Sequence, residues 1–126
     1  MRLLLDTNIL LALSLGHPLA LSPRTTDAVH SPDNVCFASV VSVWEVAIKS
    51  RTGKLEIASP TEFANYVDNV GIGLLPITRD HVLAELEQEP TTRDPFDRLL
   101  LAICQLEGLR LVTLDRALAA HPMAWK

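Results

Sequence analysis

"RDPFDRLLLAICQLEGLRLVTLDRAL", residues 93–118, reads as a capped helix, a glycine stop, a short apolar strand and a second capped helix. Asp94 is a favourable N-cap, and Pro95 suits the first helical position, where the missing N–H costs nothing. Gly108 ends that helix. "LRLVT" (109–113) follows as a continuous apolar run, and "DRALAA" (115–120) restarts a helix behind Asp115. A strand enclosed in this way, apolar at successive positions rather than alternate ones, belongs to a parallel sheet covered on both faces.

The same alternation extends back to the N-terminus. Strands are predicted for "MRLLLD" (1–6), "NVCFAS" (34–39) and "GLLPI" (73–77). Helices are predicted for residues 7–16, stopped by Gly16 and Pro18, then for 22–31, 40–53, 59–71, 78–89 and 95–108. The helix over 40–53 is apolar almost all round, which predicts deep burial. "GKLEI" (53–57) reads as a turn and a short extended piece, and "HPMAWK" (121–126) as an added edge strand. There is no repeat, low-complexity segment or linker, so residues 1–126 read as a single α/β domain.

Hydrophobic residues make up 48% and aromatics 5%, so the core must be built from Leu, Val, Ile and Ala. Asp6, Glu45 or Arg98 interrupts each of the longest apolar runs, and none reaches transmembrane length. The N-terminus does not resemble a signal peptide. Cys36 and Cys104 sit in apolar contexts without metal-ligand spacing and read as reduced core thiols. A cytoplasmic protein without membrane contact is expected.

Asp97 raises a question that capping does not settle. It occupies the third helical position, where an acid favours the helix dipole and reaches back to the cap. Yet it shares a helical face with Leu100, Leu101 and Cys104, while Arg98, Ala102 and Gln105 read as the wetter side. Three further acids also interrupt apolar runs: Asp6 in "LLLDTNILL", Glu45 in "VVSVWEVAI" and Asp115 in "LVTLDRALA". Each has a structural use of its own. Asp6 and Asp115 follow strands and precede helices, where an N-cap is wanted. Glu45 has Lys49 four residues on. A surface ion pair is worth under ~1 kcal/mol, however, whereas an unpaired carboxylate buried among Val41, Val46 and Ile48 costs several kcal/mol.

Taken together, the four acids point to one edge of the sheet, beyond the carboxyl ends of its strands, where ligands bind in such folds. Four converging carboxylates repel one another and call for a cation. An all-oxygen donor set suits Mg²⁺ or Mn²⁺ rather than zinc. The formal net charge of −4 disfavours a nucleic-acid partner. With these four removed from the 15 acidic residues, 11 remain against 11 basic ones, and the remaining surface does not repel a polyanion. Thr7, Asn8, Ser42 and Thr113 are placed to orient the carboxylates or to serve as plain caps. Arg98 is the basic residue nearest the cluster, able to touch a phosphate or pair an acid, and Lys49, Arg51, Lys54 and Arg93 are either contacts for a polyanion or solvated surface.

"LLLDTNILL", "SVVSVWEVAIKSRTGKLEI", "RDPFDRLLLAICQLEGLRLVT" and "LVTLDRAL" together resemble the PIN-domain ribonucleases, in particular the VapC-like toxins of bacterial toxin–antitoxin pairs. The likeness runs from Leu3 to Ala120. It implies a PIN-like α/β/α sandwich with a central parallel sheet, and Mg²⁺- or Mn²⁺-dependent cleavage of RNA phosphodiester bonds. Asp6, Glu45 and Asp97 match the three acids of the family, and Asp115 matches a fourth, less uniform one. Thr7 matches a hydroxyl that assists the first acid. Asn8 departs from the closest subgroup, which tends to have histidine there. On this resemblance Asp94 is the cap and Asp97 the metal ligand. A cognate antitoxin and a homodimer are the implied protein partners. Two other classes compete: a receiver-like phosphotransfer domain, which needs an aspartate at a middle strand end and a lysine at a late one, where this chain has Thr78 after "GLLPI" and no lysine after "LRLVT", and a non-catalytic PIN-like RNA-binding subunit, which would have no use for all four acids.

Overall fold

The computed structural model describes residues 1–17, 20–56 and 59–126. Four strands, β1 (Arg2–Leu5), β2 (Val35–Ser39), β3 (Gly73–Leu75) and β4 (Arg110–Val112), form one sheet in the order β3-β2-β1-β4 with every neighbouring pair parallel. The helices are α1 (Thr7–Ser14), α2 (Pro23–His30), α3 (Val40–Arg51), α4 (Pro60–Asn69), α5 (Arg79–Leu83), α6 (Pro95–Glu107) and α7 (Arg116–Ala119).

The run of three leucines in β1 shows why the sheet needs cover on both faces. Side chains alternate along a strand. Leu3 and Leu5 pack with Ile9, Leu10, Val46, Phe63 and Val67 of α1, α3 and α4. Leu4 faces the opposite core, with Leu100, Leu101, Ile103 and Cys104 of α6, Leu111 of β4 and Leu118 of α7. All three leucines are fully buried, each stabilising the fold by about 1.5–3 kcal/mol. The result is the expected α/β/α sandwich around a parallel sheet. From β1 the chain steps out to β2 and β3, then crosses back to place β4 on the other side of β1. The strand order therefore reverses at β1, and a crevice opens beyond its carboxyl end.

Local signals hold up at most boundaries. Ser22, Ser59 and Asp94 cap α2, α4 and α6, each with proline at the start of the helix. Gly108 ends α6 in the left-handed region at φ 68°, and the Leu109 N–H closes the turn on the Cys104 carbonyl at 3.0 Å. Gly73 is needed for a different reason: a Cβ there would lie 2.9 Å from the ring of Phe37, its cross-strand partner.

Several expectations need correction. The helix expected over 78–89 stops at Leu83. Beyond it, backbone groups bond to side chains of α6 and the C-terminal segment instead of to one another. Arg98 Nη2 donates to the Ala84 carbonyl at 3.0 Å, Gln105 Nε2 to the Glu85 carbonyl at 2.9 Å, and the Glu87 N–H to Gln105 Oε1. The Gln88 carbonyl meets His121 Nε2 at 2.7 Å. β3 ends before Pro76, which has no N–H for a ladder. Residues 121–126 add a single parallel bridge, Leu111 with Ala124, rather than a strand. Lys54 to Glu56 form no strand, and Ile57, like Pro18, lies outside the described residues. α3 is not buried all round: Trp44 is 46% exposed and packs edge-to-face on Phe96 with ring centroids 4.9 Å apart. Ala102, expected on the wetter side of α6, is fully buried. Both cysteines are free thiols. Among the described residues no helix is long and apolar enough to cross a membrane.

Candidate active site

Asp6 follows β1, Asp115 follows β4, Glu45 lies in α3 directly after β2, and Asp97 lies in the first turn of α6. All four line one cleft of about 260 Å³, together with Thr7, Asn8, Asp94, Lys49, Lys54 and the apolar Leu11, Val46 and Leu55. The parallel sheet accounts for two of them, because β1 and β4 deliver their carboxyl ends to the same edge. The others arrive on α3 and α6, which pack against each other.

Each carboxylate is held. Asp6 is 4% exposed. Its Oδ1 accepts from the Thr7 N–H at 2.7 Å and its Oδ2 from the Thr113 hydroxyl at 2.6 Å. Thr113 Oγ1 in turn accepts from the Asp115 N–H at 3.1 Å. The first acid and the loop carrying the fourth thus form one bonded unit. Glu45 is 7% exposed. Its Oε1 lies 2.7 Å from the Thr7 hydroxyl, which is also 2.8 Å from Ser42 Oγ. Thr7 has one hydroxyl proton, and the carboxylate is the stronger acceptor. The order of donation is therefore Ser42 to Thr7 to Glu45. Glu45 Oε2 holds the Lys49 ammonium at 2.5 Å. Asp115 Oδ1 caps α7 by accepting from the Ala117 and Leu118 N–H groups. Asn8 Oδ1 accepts from the Leu114 N–H at 3.3 Å, tying α1 to the same loop.

The pair Asp94 and Asp97 divides its tasks as expected in one respect. Asp94 Oδ1 caps α6 through the Phe96 N–H at 2.8 Å. Asp97 makes no capping bond and accepts from the Thr92 hydroxyl at 3.0 Å. Asp94 nevertheless lines the cleft as well, so its charge belongs to the cluster. Thr92 went unremarked in the sequence; its position just before a capped helix start was the available signal. Arg98 is turned away. It forms a two-point pair with Glu89, at 3.0 and 3.1 Å, and is not among the residues lining the cleft. The basic side chains that do line the cleft are Lys49 and Lys54.

Burial and mutual repulsion govern the electrostatics. Desolvation holds the Asp6 carboxyl above its ordinary range; the bonds from Thr113 and Thr7 pull it down, and the charges of Glu45 and Asp115 push it up again. Asp97 is raised to about 6, first by desolvation and then by the charge of Asp94, with Asp6 and Asp115 adding to it against the Thr92 bond. Cys104, behind the site, is pushed up to about 12 by burial and is a packed thiol rather than a nucleophile.

The Asp97 shift has a testable consequence. The folded protein binds this proton more tightly than the unfolded chain, whose carboxyl titrates near ~3.9. Above about pH 6 the charge is present in both states, and its full penalty falls on the fold. Between the two values folding takes up a proton, so this contribution destabilises progressively as pH rises. In chelator, Asp97→Asn is therefore expected to melt above wild type near neutral pH, with the difference vanishing towards about pH 4. Thermal unfolding of both proteins across this range is the check. A pH-independent difference would remove Asp97 from the charged cluster.

A divalent ion fits the chemistry of these residues. The carboxylate donors are all oxygen, they repel one another, and they line a cleft of about 260 Å³. Among the described residues, no three His, Cys, Asp or Glu side chains are gathered tightly enough to enclose an ion directly. Mg²⁺ retains several waters and needs only one or two direct carboxylates. Comparison with curated proteins gives no match. The sequence does match the family model described as PIN domain over residues 3–122, a span that holds the whole sheet apart from Arg2 of β1 and all five acids that line the cleft. A parallel sheet with an acidic cleft at its switch point and a family match over nearly its whole length place this chain in the PIN-domain family, whose members are in general metal-dependent nucleases.

Proposed function

We propose that this PIN domain is an endoribonuclease that hydrolyses RNA phosphodiester bonds with a carboxylate-held Mg²⁺ or Mn²⁺ ion, and that it acts as the VapC-like toxin of a type II toxin–antitoxin pair. The observation that carries the proposal is the meeting of Asp6, Glu45, Asp97 and Asp115 on one cleft from four separate places in the chain. Capping accounts for Asp6 and Asp115 singly, but no structural need accounts for Asp97 and Glu45 facing the same space.

Asp6, Glu45, Asp97 and Asp115 would together hold the ion. When bound, the ion lowers the pKa of an attacking water and neutralises charge on the phosphate. The chain's own groups do the positioning. Thr113 fixes the rotamer of Asp6, and the Ser42–Thr7 pair fixes Glu45. Asn8 keeps the Asp115 loop against α1. Lys54 places a positive charge on the cleft wall where a polyanion would enter. In this reading the protein works in the cytoplasm as a homodimer, held inactive by a cognate antitoxin lying over the acidic cleft.

The test uses the purified protein with single-stranded RNA and, separately, DNA. Cleavage of RNA is expected in millimolar Mn²⁺ and none in chelator, with a rise in melting temperature on adding the metal. Absence of both cleavage and thermal shift would overturn the nuclease reading. The toxin role is tested by expression in bacteria. Growth arrest, relieved by co-expressing a small protein encoded beside this gene, is the expected result.

A further inference from the structure

Glu45 has a partner on each carboxylate oxygen: Oε1 accepts from Thr7 and Oε2 holds the ammonium of Lys49. An ion that approaches Glu45 from the cleft therefore meets a cation already in place. We propose that Lys49 is the resident counter-cation of this cleft, occupying Glu45 Oε2 in the metal-free protein and giving that position up when a divalent ion binds. The inference rests on the metal-dependent reading above and specifies how the site behaves before metal arrives.

The two ends of the pair are unequal. The Glu45 side chain is 9% exposed and tied to Thr7, so it stays where it is. The Lys49 side chain is 37% exposed, and its ammonium lies at the end of a flexible four-carbon stem. Displacing it from Oε2 moves it towards water, and the incoming ion takes over the charge of the buried carboxylate. An ordinary helical pair four residues apart lies on the solvated face, where water and salt screen it. This one has its acid end inside the acidic cleft, and Lys49 itself lines the same space. Lys54 provides an internal comparison. It lines the same cleft with the same charge but makes no ion pair among the described residues.

Exchange of one cation for another and simple charge in the neighbourhood differ in what they predict. If Lys49 competes for Glu45, Lys49→Met should bind Mn²⁺ about tenfold more tightly than wild type, while its metal-free melting temperature falls. Lys54→Met should change Mn²⁺ affinity by less than about threefold, because its charge is screened and holds no ligand. Titration calorimetry with Mn²⁺ and thermal unfolding in chelator, both on the full chain, read these quantities. Lys49→Gln serves as the second variant if Lys49→Met does not fold. Unchanged or weaker Mn²⁺ affinity in the Lys49 variants overturns the proposal. So does an equal gain in Lys54→Met, which would show a through-space effect without exchange. If wild type binds Mn²⁺ and cuts RNA while the Lys49 variants bind no more tightly, only this inference falls. If neither wild type nor the variants bind Mn²⁺, the metal reading falls and takes the inference with it.

Discussion

Asp97→Asn is expected to lower the rate of RNA cleavage at least ~100-fold, while the protein still folds and melts no lower than wild type at neutral pH. The amide keeps the size of the side chain and an oxygen able to accept from the Thr92 hydroxyl. It removes a half-buried negative charge raised by desolvation and by Asp94. Asp97 makes no capping bond, so α6 loses only a favourable dipole contact, worth about 0.3–1 kcal/mol. Asp94→Asn is the paired control. Asparagine caps nearly as well as aspartate, so α6 should persist and most of the activity with it. The reverse pattern, with Asp94→Asn inactive and Asp97→Asn active, would exchange the roles given to the two residues. Asp6→Asn is a less clean probe. Both Asp6 oxygens accept hydrogen bonds, and an amide nitrogen in either place would face the Thr7 N–H or the Thr113 hydroxyl. Loss of activity there would come with loss of stability.

Glu45→Gln is expected to abolish cleavage to a similar extent, with only a small change in the melting temperature of the metal-free protein. Glutamine retains an oxygen for the Thr7 hydroxyl, so the Ser42–Thr7 chain survives. Its NH₂ would face the Lys49 ammonium, and Lys49 swings into solvent. The lost ion pair costs under ~1 kcal/mol. Removal of a charge that repels Asp6 acts in the opposite direction. If Glu45 existed only to pair with Lys49 on the helix surface, Glu45→Gln and Lys49→Ala would have the same small effect on stability and none on catalysis. A double-mutant cycle, read on cleavage rate and on melting temperature in chelator, separates the two cases. A fully active Glu45→Gln protein would leave the proposed nuclease resting on the aspartates.

The features legible in the sequence are those whose physics is local. A cap is decided by a side chain and the N–H groups one to three residues on, so Asp6, Asp94 and Asp115 are readable as helix starts from single positions. The apolar runs of β1 and α6 required burial on both faces of a sheet, and the acids interrupting such runs were conspicuous because burying a charge is costly. What those acids meet was not readable. Asp6 is bonded to Thr113 across 107 positions, and Thr7 reaches Ser42 and Glu45 only because β1 and β2 are paired in register. Arg98 stands next to Asp97 in the chain, yet adjacent helical residues diverge, and its guanidinium goes to Glu89 and to the Ala84 carbonyl. The same bond, with those of Gln105 and His121, ends α5 early although residues 84–89 have helical periodicity. Lys49 could be seen as a partner of Glu45 from their spacing, but its place on the wall of the acidic cleft depends on α3 packing between α1 and α6. Spacing along a helix gives only direction around its own axis, and the neighbouring elements decide whether that direction faces water, a core or a site.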